Sequence, residues 1–428
     1  MQVDLIITNI GQLVTCAGPD GPKRGQSMAQ VGIISNGAVA INDGLFTGVG
    51  TADDIDRDYR SAQVIDAGGQ VVCPGFVDPH THIVFAGDRL DEFELKIKGA
   101  DYLEILANGG GIISTVRKTR DASFNELVKL GLERLDKMLA CGTTTCEIKT
   151  GYGLDLTTEM KMLEVIAELD LKHHIDIVPT FLAAHAVPPE YKDDTNGYVD
   201  LICEEMLLSA WRWYEQSHFK RENIPMFADV FCEKNAFDLE QSRRIFARAK
   251  DLGFALKAHV DEFTNLGGSE LMINLDATSI DHLDAISERE VTMLSGSGTI
   301  GIITPTVNFN FGSADYAPAR KLIDAGCSIA LSTDYNPGSA PSPSQPMTMA
   351  IACRYQKLLP AEAMNAATIN AAYSIGLARQ FGSIEVGKSA DVLVCDTSDY
   401  RQLAYEFGGN LVHRIFKAGR DVTPGEVI

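Results

Sequence analysis

Short apolar runs alternate with amphipathic stretches through the middle of the chain. Eight of the apolar runs have the length and composition of buried strands, and they span residues 71–77, 143–148, 175–182, 227–231, 254–258, 277–280, 299–303 and 328–331. Helical stretches lie between them, and several begin with the spacing of a capping box: Ser123-x-x-Glu126, Asp238-x-x-Gln241 and Ser287-x-x-Glu290. Strands that alternate with helices pair in parallel through right-handed crossovers. Eight such units predict an α/β protein with a TIM-like (β/α)8 barrel.

The two ends of the chain follow a different pattern, because there short strand-like runs are separated by turns. We therefore expect a small β-sandwich domain formed by both termini, from residues 1–70 and 375–428. The barrel domain, residues 71–374, would be inserted between these two parts.

Composition narrows the possible partners. Hydrophobic residues make up 45% and charged residues 22% of the 428 residues, which is typical of a globular protein with a full core. The formal net charge is −21, and this argues against a nucleic-acid backbone or an anionic membrane surface as partner. A small anionic substrate would be repelled by this net negative charge and would therefore need a cation at its binding site.

Compartment signals favour the cytoplasm. No stretch of the sequence approaches the ~18 consecutive apolar residues of a membrane span, and Asp4 stands where a signal peptide carries basic residues. The nine cysteines form no Cys-x-x-Cys pair. This usage favours buried thiols in a reducing compartment over a disulfide framework.

Candidate chemistry gathers at the predicted strand ends, where the active site of such a barrel lies. His80 and His82 end the first strand, and their period-two spacing places both imidazoles on one face. Later strands end at the further candidates His185, His259, Glu262, His282 and Asp334. Any one of these residues could be structural. Together they predict a site for one metal ion, and imidazoles with a carboxylate suit zinc or iron better than calcium or magnesium.

Other candidates stay open from the residues alone. Arg89 could bind an anion or could simply pair with Asp88 or Asp91 at the surface. Tyr152 lies between two glycines and could line the site or anchor a loop. The glycine-rich stretch at 108–112 lacks the Gly-Lys-Ser/Thr ending of a nucleotide phosphate loop, so we interpret it as a flexible segment over the site.

Longer motifs carry a family resemblance. The stretch "PGFVDPHTH", the later strand-end His, His and Asp, and "GSIEVGKSADVLV" resemble the amidohydrolase superfamily over nearly the whole chain. Within it, seven finer motifs are similar to those of the imidazolonepropionase family: "FAGDR", "GGGIISTVRKTR", "EIKTGYGLD", "TFLAAHAVPPEY", "HVDEF", "DHLDA" and "STDYNPGS". The resemblance implies a metal-dependent hydrolase that opens the cyclic amide of 4-imidazolone-5-propanoate to N-formimidoyl-glutamate in histidine degradation.

The resemblance also implies the role of each candidate. One divalent or trivalent metal ion per subunit, zinc or iron, would be held by His80, His82, His259 and Asp334. Glu262 and His282, with Asp334, would move protons, and His185 would take part in catalysis. Substrate would contact Arg89, Tyr152, His185, Glu262, Asn336, Gly338 and Ser339. Arg89 would pair with the propionate, which supplies the local cation that the net charge requires. A homodimer is common for barrels of this kind.

The chain departs from binuclear members of the superfamily at one position, and two alternative functions stay open. Binuclear superfamily members carry a lysine or glutamate ligand at the end of strand 4, where this chain has Glu233 and Lys234; we expect neither to bind metal. The first alternative is a deaminase of a cyclic amidine or nucleobase, which has no need of an arginine for a propionate. The second is a non-catalytic scaffold, which would typically have lost metal ligands.

Overall fold

The computed structural model describes residues 1–18, 20–99 and 110–425. The predicted flexible segment at 108–112 therefore lies partly outside the described residues. The strands are β1 (Leu5–Val14), β2 (Ile33–Asn42), β3 (Leu45–Thr51), β4 (Gln63–Asp66), β5 (Val71–Pro74), β6 (Phe76–Asp78), β7 (Thr143–Lys149), β8 (Asp176–Ala184), β9 (Phe227–Cys232), β10 (Ala255–Leu256), β11 (His259–Val260), β12 (Ser279–His282), β13 (Ile300–Ile303), β14 (Ile329–Leu331), β15 (Val392–Cys395), β16 (Val412–Lys417) and β17 (Arg420–Asp421).

The helices of the described ranges fall mainly between these strands. They are α1 (Ala52–Asp58), α2 (Leu90–Ile97), α3 (Ile112–Asp121), α4 (Phe124–Ala140), α5 (Leu156–Lys172), α6 (Thr195–Leu201), α7 (Leu207–Gln216), α8 (His218–Arg221), α9 (Leu239–Leu252), α10 (Gly268–Asn274), α11 (Glu288–Ser295), α12 (Pro305–Phe311), α13 (Ala319–Asp324), α14 (Gln345–Tyr355), α15 (Pro360–Ala366), α16 (Ile369–Ser374) and α17 (Gln402–Tyr405). Short 3-10 turns at Gly25–Ala29 and Pro189–Tyr191 and a π turn at Ile202–Met206 complete the list. No helix in these ranges combines the length and apolar content needed to cross a membrane.

The predicted barrel is confirmed. Its strands follow the order β6-β7-β8-β9-β11-β12-β13-β14, every neighbouring pair is parallel, and β10 extends the β9 edge. A parallel bridge between Thr81 and Tyr335, just past β6 and β14, brings the first and last strands together. The His82 amide donates to the Tyr335 carbonyl across this junction, at 3.0 Å. The ends of all eight strands therefore surround one central space.

Two of the predicted helix starts are full capping boxes. Asp238 and Gln241 bond reciprocally at the start of α9, as do Ser287 and Glu290 at α11. At α4 the Ser123 side chain accepts from the Glu126 amide. These caps satisfy amide groups that a helix start leaves unpaired.

The predicted strand at 71–77 is wrong as a single element, because two strands of different sheets occupy it. β5 pairs with β1 and β15 in the sheet formed by the chain ends, whereas β6 pairs with β7 in the barrel. Gly75 separates them, and a Cβ there would lie only 2.1 Å from Thr144 Oγ1. Both strands are fully buried, so the apolar pattern alone could not separate them. The predicted strand at 254–258 is also not one element. β10 lies within this range, and β11 begins just after it.

The second β unit is confirmed as one mixed sheet built from both ends of the chain. Its order is β17-β16-β15-β5-β1-β2-β3, with β4 beside β1. Apolar side chains from the two ends share one core, including Leu5, Val39, Val392 and Phe416. The domain boundaries at residues 70 and 374 stay a prediction.

We expect Gly75→Ala to destabilise the protein, since the added methyl has no room beside Thr144 and both sheets meet there. Overpacking of this kind costs roughly 1–3 kcal/mol, and thermal unfolding followed by circular dichroism would measure it. Gly298→Ala is the matched control, because no atom lies within 4 Å of its added Cβ. Equal midpoints for the two variants would contradict the account.

Candidate active site

The structure brings the four predicted metal ligands together at the carboxyl ends of the strands. Nε2 of His82 lies 3.1 Å from Nε2 of His80 and 3.3 Å from Nε2 of His259. Oδ1 of Asp334 lies 3.5 Å from the His80 Nε2 atom and 3.4 Å from the His82 Nε2 atom. Two overlapping groups of potential metal ligands result, one of the three histidines and one of His80, His282 and Asp334.

Buried carboxylates orient two of these imidazoles. His80 donates through Nδ1 to Asp281 Oδ2 at 2.6 Å, and His259 donates through Nδ1 to Asp229 Oδ1 at 3.0 Å. A histidine that donates from Nδ1 keeps the Nε2 lone pair free for a metal, and such carboxylate partners are a common support of metal ligands. Sequence analysis missed both carboxylates, although Asp281 stands inside the quoted motif "DHLDA" and its strand neighbour His282 was predicted.

A buried ion network lies behind the ligands, and sequence analysis missed it too. Lys149 Nζ lies 2.7 Å from Glu147 Oε1, 2.8 Å from Asp229 Oδ2 and 3.7 Å from Asp281 Oδ2. Lys257 Nζ donates to the Pro79 carbonyl at 2.8 Å and lies 3.9 Å from Asp281 Oδ2. The available signal was a set of charged residues inside predicted strands that are otherwise apolar. These ammonium groups compensate carboxylates that could not stay buried alone.

Burial shifts the pKa values of the groups in the site. It lowers the pKa of His80, His82 and His282 well below the usual range, and neighbouring cationic groups add to the effect. Although burial alone would raise it, His259 and Lys149 hold the pKa of Asp229 well below its ordinary value. Burial raises the pKa of Asp334 to about 7. Neutral imidazoles with free lone pairs are the form in which histidine binds metal.

His282 and Glu262 form a second polar group beside the ligands. Nε2 of His282 has no hydrogen-bond partner among the described residues and lies 3.9 Å from Glu262 Oε2. The other ring nitrogen, Nδ1, bonds with Thr304 Oγ1 at 3.0 Å. Burial, with the charges of Asp334 and Asp284, raises the pKa of Glu262 well above its ordinary value. The pair thus offers a carboxyl of high proton affinity next to an open imidazole nitrogen.

The backbone is strained where strands β11, β12 and β14 lead into the site. Asp261, His282 and Asp334 have φ values of 55°, 84° and 50°, in the left-handed region that non-glycine residues rarely adopt. Such conformations persist only where the surroundings hold them, and they concentrate at functional sites. Two of the three residues, His282 and Asp334, belong to a group of potential metal ligands.

His185 and Tyr152 line one wall of the site. The His185 ring stacks on His82 with centroids 4.9 Å apart, and its Nδ1 bonds with the Gly151 carbonyl at 3.0 Å. Gly151 has a φ of 103°, and a Cβ there would lie 2.8 Å from the same Nδ1. Buried Glu159 accepts from the amides of the 151–154 loop, including Gly153 at 2.7 Å. This carboxylate, which sequence analysis missed, holds the loop that presents Tyr152.

Arg89 lies at the mouth of the site beside the loop that follows β14. A Cβ on Gly338 would be 2.5 Å from Arg89 Nη1, so only glycine allows the guanidinium to approach this closely. The other edge of the guanidinium, Nε and Nη2, bonds both carboxylate oxygens of Glu92. Although burial opposes it, Arg89 lowers the pKa of Glu92 to about 2, and Gly111 and Lys96 contribute. The structure thus pairs Arg89 with Glu92, and its sequence-predicted alternatives Asp88 and Asp91 appear in no ion pair with it among the described residues.

Asn336 organises the loop that contains Gly338. Its Oδ1 accepts from the amides of Gly338 and Ser339, both at 2.8 Å. Its Nδ2 donates to Ser339 Oγ at 2.7 Å and to Asp334 Oδ1 at 3.1 Å. The predicted substrate loop therefore lies directly between the candidate ligand Asp334 and the cation Arg89.

Comparison with known proteins shows which class of fold this chain has. A sequence model described as the amidohydrolase family matches residues 238–423. An adenosine deaminase from Xanthomonas campestris, solved with bound zinc, is similar with a TM-score of 0.71 at 18% identity, over 98% of this chain and 93% of that one. Guanine deaminase of E. coli is similar with a TM-score of 0.71 at 16% identity, over 97% of this chain and 98% of that one. At these identities the likeness establishes the fold, which is that of an amidohydrolase.

Closer relatives define the branch within that class. The imidazolonepropionase of Chloroflexus aggregans is 51% identical over 423 residues, which cover 99% of both chains. That of Herpetosiphon aurantiacus is 50% identical over 98% of this chain and 97% of the relative. The chain belongs to the imidazolonepropionase family.

Asp229→Asn should weaken metal binding, because an amide cannot hold the His259 ring and its tautomer as the carboxylate does. Loss of such a supporting partner typically costs about 10-fold to 100-fold in metal affinity, which competition with a chromophoric chelator would measure. Asp170→Asn is the control, since Asp170 supports His218 in the same way, at 2.8 Å, and His218 is not a candidate ligand. Unchanged affinity in Asp229→Asn would contradict the assignment of His259.

Proposed function

We propose that the site hydrolyses the cyclic amide of 4-imidazolone-5-propanoate to N-formimidoyl-L-glutamate, with one zinc or iron ion held by His80, His82, His259 and Asp334. The family membership supports this reaction, a step of L-histidine degradation. Water is added across the ring amide, so the carbonyl carbon becomes a carboxylate and the ring nitrogen takes a proton.

The ligand residues fit a metal ion on their own chemistry. The Nε2 atoms of His80 and His259 carry lone pairs, because Nδ1 of each ring donates to a carboxylate. These two atoms lie 3.1 and 3.3 Å from His82 Nε2. One proton on His82 Nε2 could serve only one of them at a time, whereas a cation among the three nitrogens would accept a lone pair from each. Imidazole nitrogens and one carboxylate are ligands that zinc and iron accept. A bound ion of this kind lowers the pKa of a coordinated water toward ~7 and polarises a carbonyl oxygen.

One observation carries the choice of substrate: the guanidinium of Arg89 stands over Gly338, in the loop that begins at the ligand Asp334. A guanidinium gives a carboxylate two parallel donors, and Glu92 occupies only the edge formed by Nε and Nη2. The propionate of the substrate would approach the Nη1 side. A neutral nucleobase offers no group for this cation.

Glu262 and His282 move the protons. Glu262 lies next to His282 Nε2, and its carboxylate would accept a proton from the attacking water and pass it to the leaving ring nitrogen. The unpartnered Nε2 of His282 faces the same space and can donate or accept a hydrogen bond as charge develops. His185 and Tyr152 bind the imidazolone ring and its developing oxyanion from the opposite wall.

A coupled assay tests the proposal. The substrate is generated from urocanate in the cuvette, and its absorbance is followed with and without the metal-loaded protein. The proposed function predicts that the protein accelerates the loss of absorbance. Absence of acceleration, together with ammonia release from guanine or cytosine, would favour a deaminase instead.

Arg89→Ala should raise KM with little change in kcat, because the lost ion pair is made equally in the bound substrate and in the transition state. A charge-assisted hydrogen bond contributes about 1.5–3 kcal/mol, so we expect KM to rise roughly 10-fold to 100-fold. Arg289→Ala is the control, since Arg289 also pairs with a glutamate but is exposed, and no ion pair joins it to the candidate ligands among the described residues. Wild-type kinetics in Arg89→Ala would show that this residue does not bind the substrate.

A further inference from the structure

Glu233 is a buried carboxylate for which the proposed mechanism has no use. It follows β9, where a binuclear amidohydrolase would carry a metal ligand, and it is 3% exposed. Among the described residues it belongs to neither group of potential metal ligands. A carboxylate that is nearly excluded from water needs partners, and its partners identify its task.

Those partners lie in the loop that carries Glu262, residues 261–264, which we call the Glu262 loop. Glu233 Oε2 accepts from the amide of Phe263 at 2.9 Å and from that of Thr264 at 3.0 Å. Glu233 Oε1 accepts from the Thr264 hydroxyl and, at 2.7 Å, from the amide of Lys234. Both oxygens are therefore engaged, and two of the four bonds hold the two amides that directly follow Glu262.

The other side of Glu262 is held as well, but under strain. Asp261 has a φ of 55°, a conformation that costs a non-glycine residue about 1–3 kcal/mol. Its carbonyl accepts from the Ala285 amide at 2.7 Å, and its side chain accepts from Ser269 Oγ. Without the bonds from Glu233 to Phe263 and Thr264, the loop would be held at one end only, and the strained Asp261 could relax. The Glu262 loop would then swing the Glu262 carboxyl away from His282 Nε2, now 3.9 Å away.

We propose that Glu233 is a positioning residue, which holds the Glu262 loop so that the Glu262 carboxyl faces His282 and the reacting atoms. This inference rests on the proposed function, because it assigns Glu233 an effect that passes through Glu262. The carboxylate that follows β9 in this chain thus serves the Glu262 loop through its hydrogen bonds.

Glu233→Gln tests the proposal, since a glutamine has one accepting oxygen in place of two. Its NH2 group therefore faces either the amides of Phe263 and Thr264 or the amide of Lys234, and a bond to a backbone donor is lost in both orientations. We expect kcat to fall about 10-fold to 100-fold, the range for a displacement near 1 Å of a catalytic group. Metal stoichiometry should stay at the wild-type value, and KM should change less than kcat, because Arg89 and the four candidate ligands are untouched. A KM effect without a kcat effect would overturn the proposal.

Glu290→Gln is the matched control. Glu290 is also 3% exposed and also accepts several hydrogen bonds, from Ser287, Glu270 and Asn265, the residue that follows the Glu262 loop. It makes no bond to residues 261–264 in the described structure. We expect it to lower the thermal midpoint as Glu233→Gln does while kcat is unchanged. Equal kcat in the two variants would overturn the proposal.

A double-variant comparison separates positioning from general damage. Glu262→Gln alone should lower kcat strongly, and Glu233→Gln added to it should lower kcat no further, because the group being positioned is already disabled. Additive losses would overturn the proposal. If Glu233→Gln does not fold, Thr264→Val replaces it, with a smaller loss of kcat and the same lack of additivity. Failure of the proposed function would show separately, as absence of turnover in the wild-type chain.

Discussion

Closure of the barrel between β6 and β14 is the constraint on which the site depends. Asp78, at the end of β6, accepts from the side chains of Ser332 and Thr333 and from the Thr333 amide at 3.2 Å. Next to these bonds, the His82 amide donates to the carbonyl of Tyr335. The junction joins segments far apart in the chain and sets two ligands from the first strand beside the aspartate from the last. The contacts that close the barrel therefore also bring these candidate ligands together.

The second requirement is charge compensation inside the barrel. Asp229 accepts from the candidate ligand His259 with Oδ1 and pairs with Lys149 through Oδ2. Asp281 uses its Oδ2 atom both for the candidate ligand His80 and for Lys149. One ammonium thus sets the separation of two carboxylates that support different ligands. Burying these groups is costly unless each is paired, so the interior has little freedom to rearrange. Rigid support of this kind is what a metal site needs.

That the four candidate ligands lie close together could be predicted from the sequence, because they obey a local rule. His80, His82, His259 and Asp334 each stand at or just beyond the end of an apolar run, and a parallel barrel collects such ends at one edge. Arg89 was predicted through a family motif, but its partner Glu92 was not, since a glutamate three residues along an exposed-looking helix has no distinguishing pattern. The break at Gly75 was missed because both of its flanking strands are buried. Glu159 and Glu233 act on loops through backbone amides, and such bonds leave no signature in side-chain spacing.

We propose that one metal ion, held by four residues from the first, fifth and eighth strand units, suffices for hydrolysis of an anionic imidazolone. Titration of the metal-free protein with zinc or iron(II), while turnover of 4-imidazolone-5-propanoate is followed, tests it most directly. The account predicts that turnover rises linearly and levels off at one equivalent of metal per chain. A requirement for two equivalents, or full turnover in the metal-free protein, would contradict it.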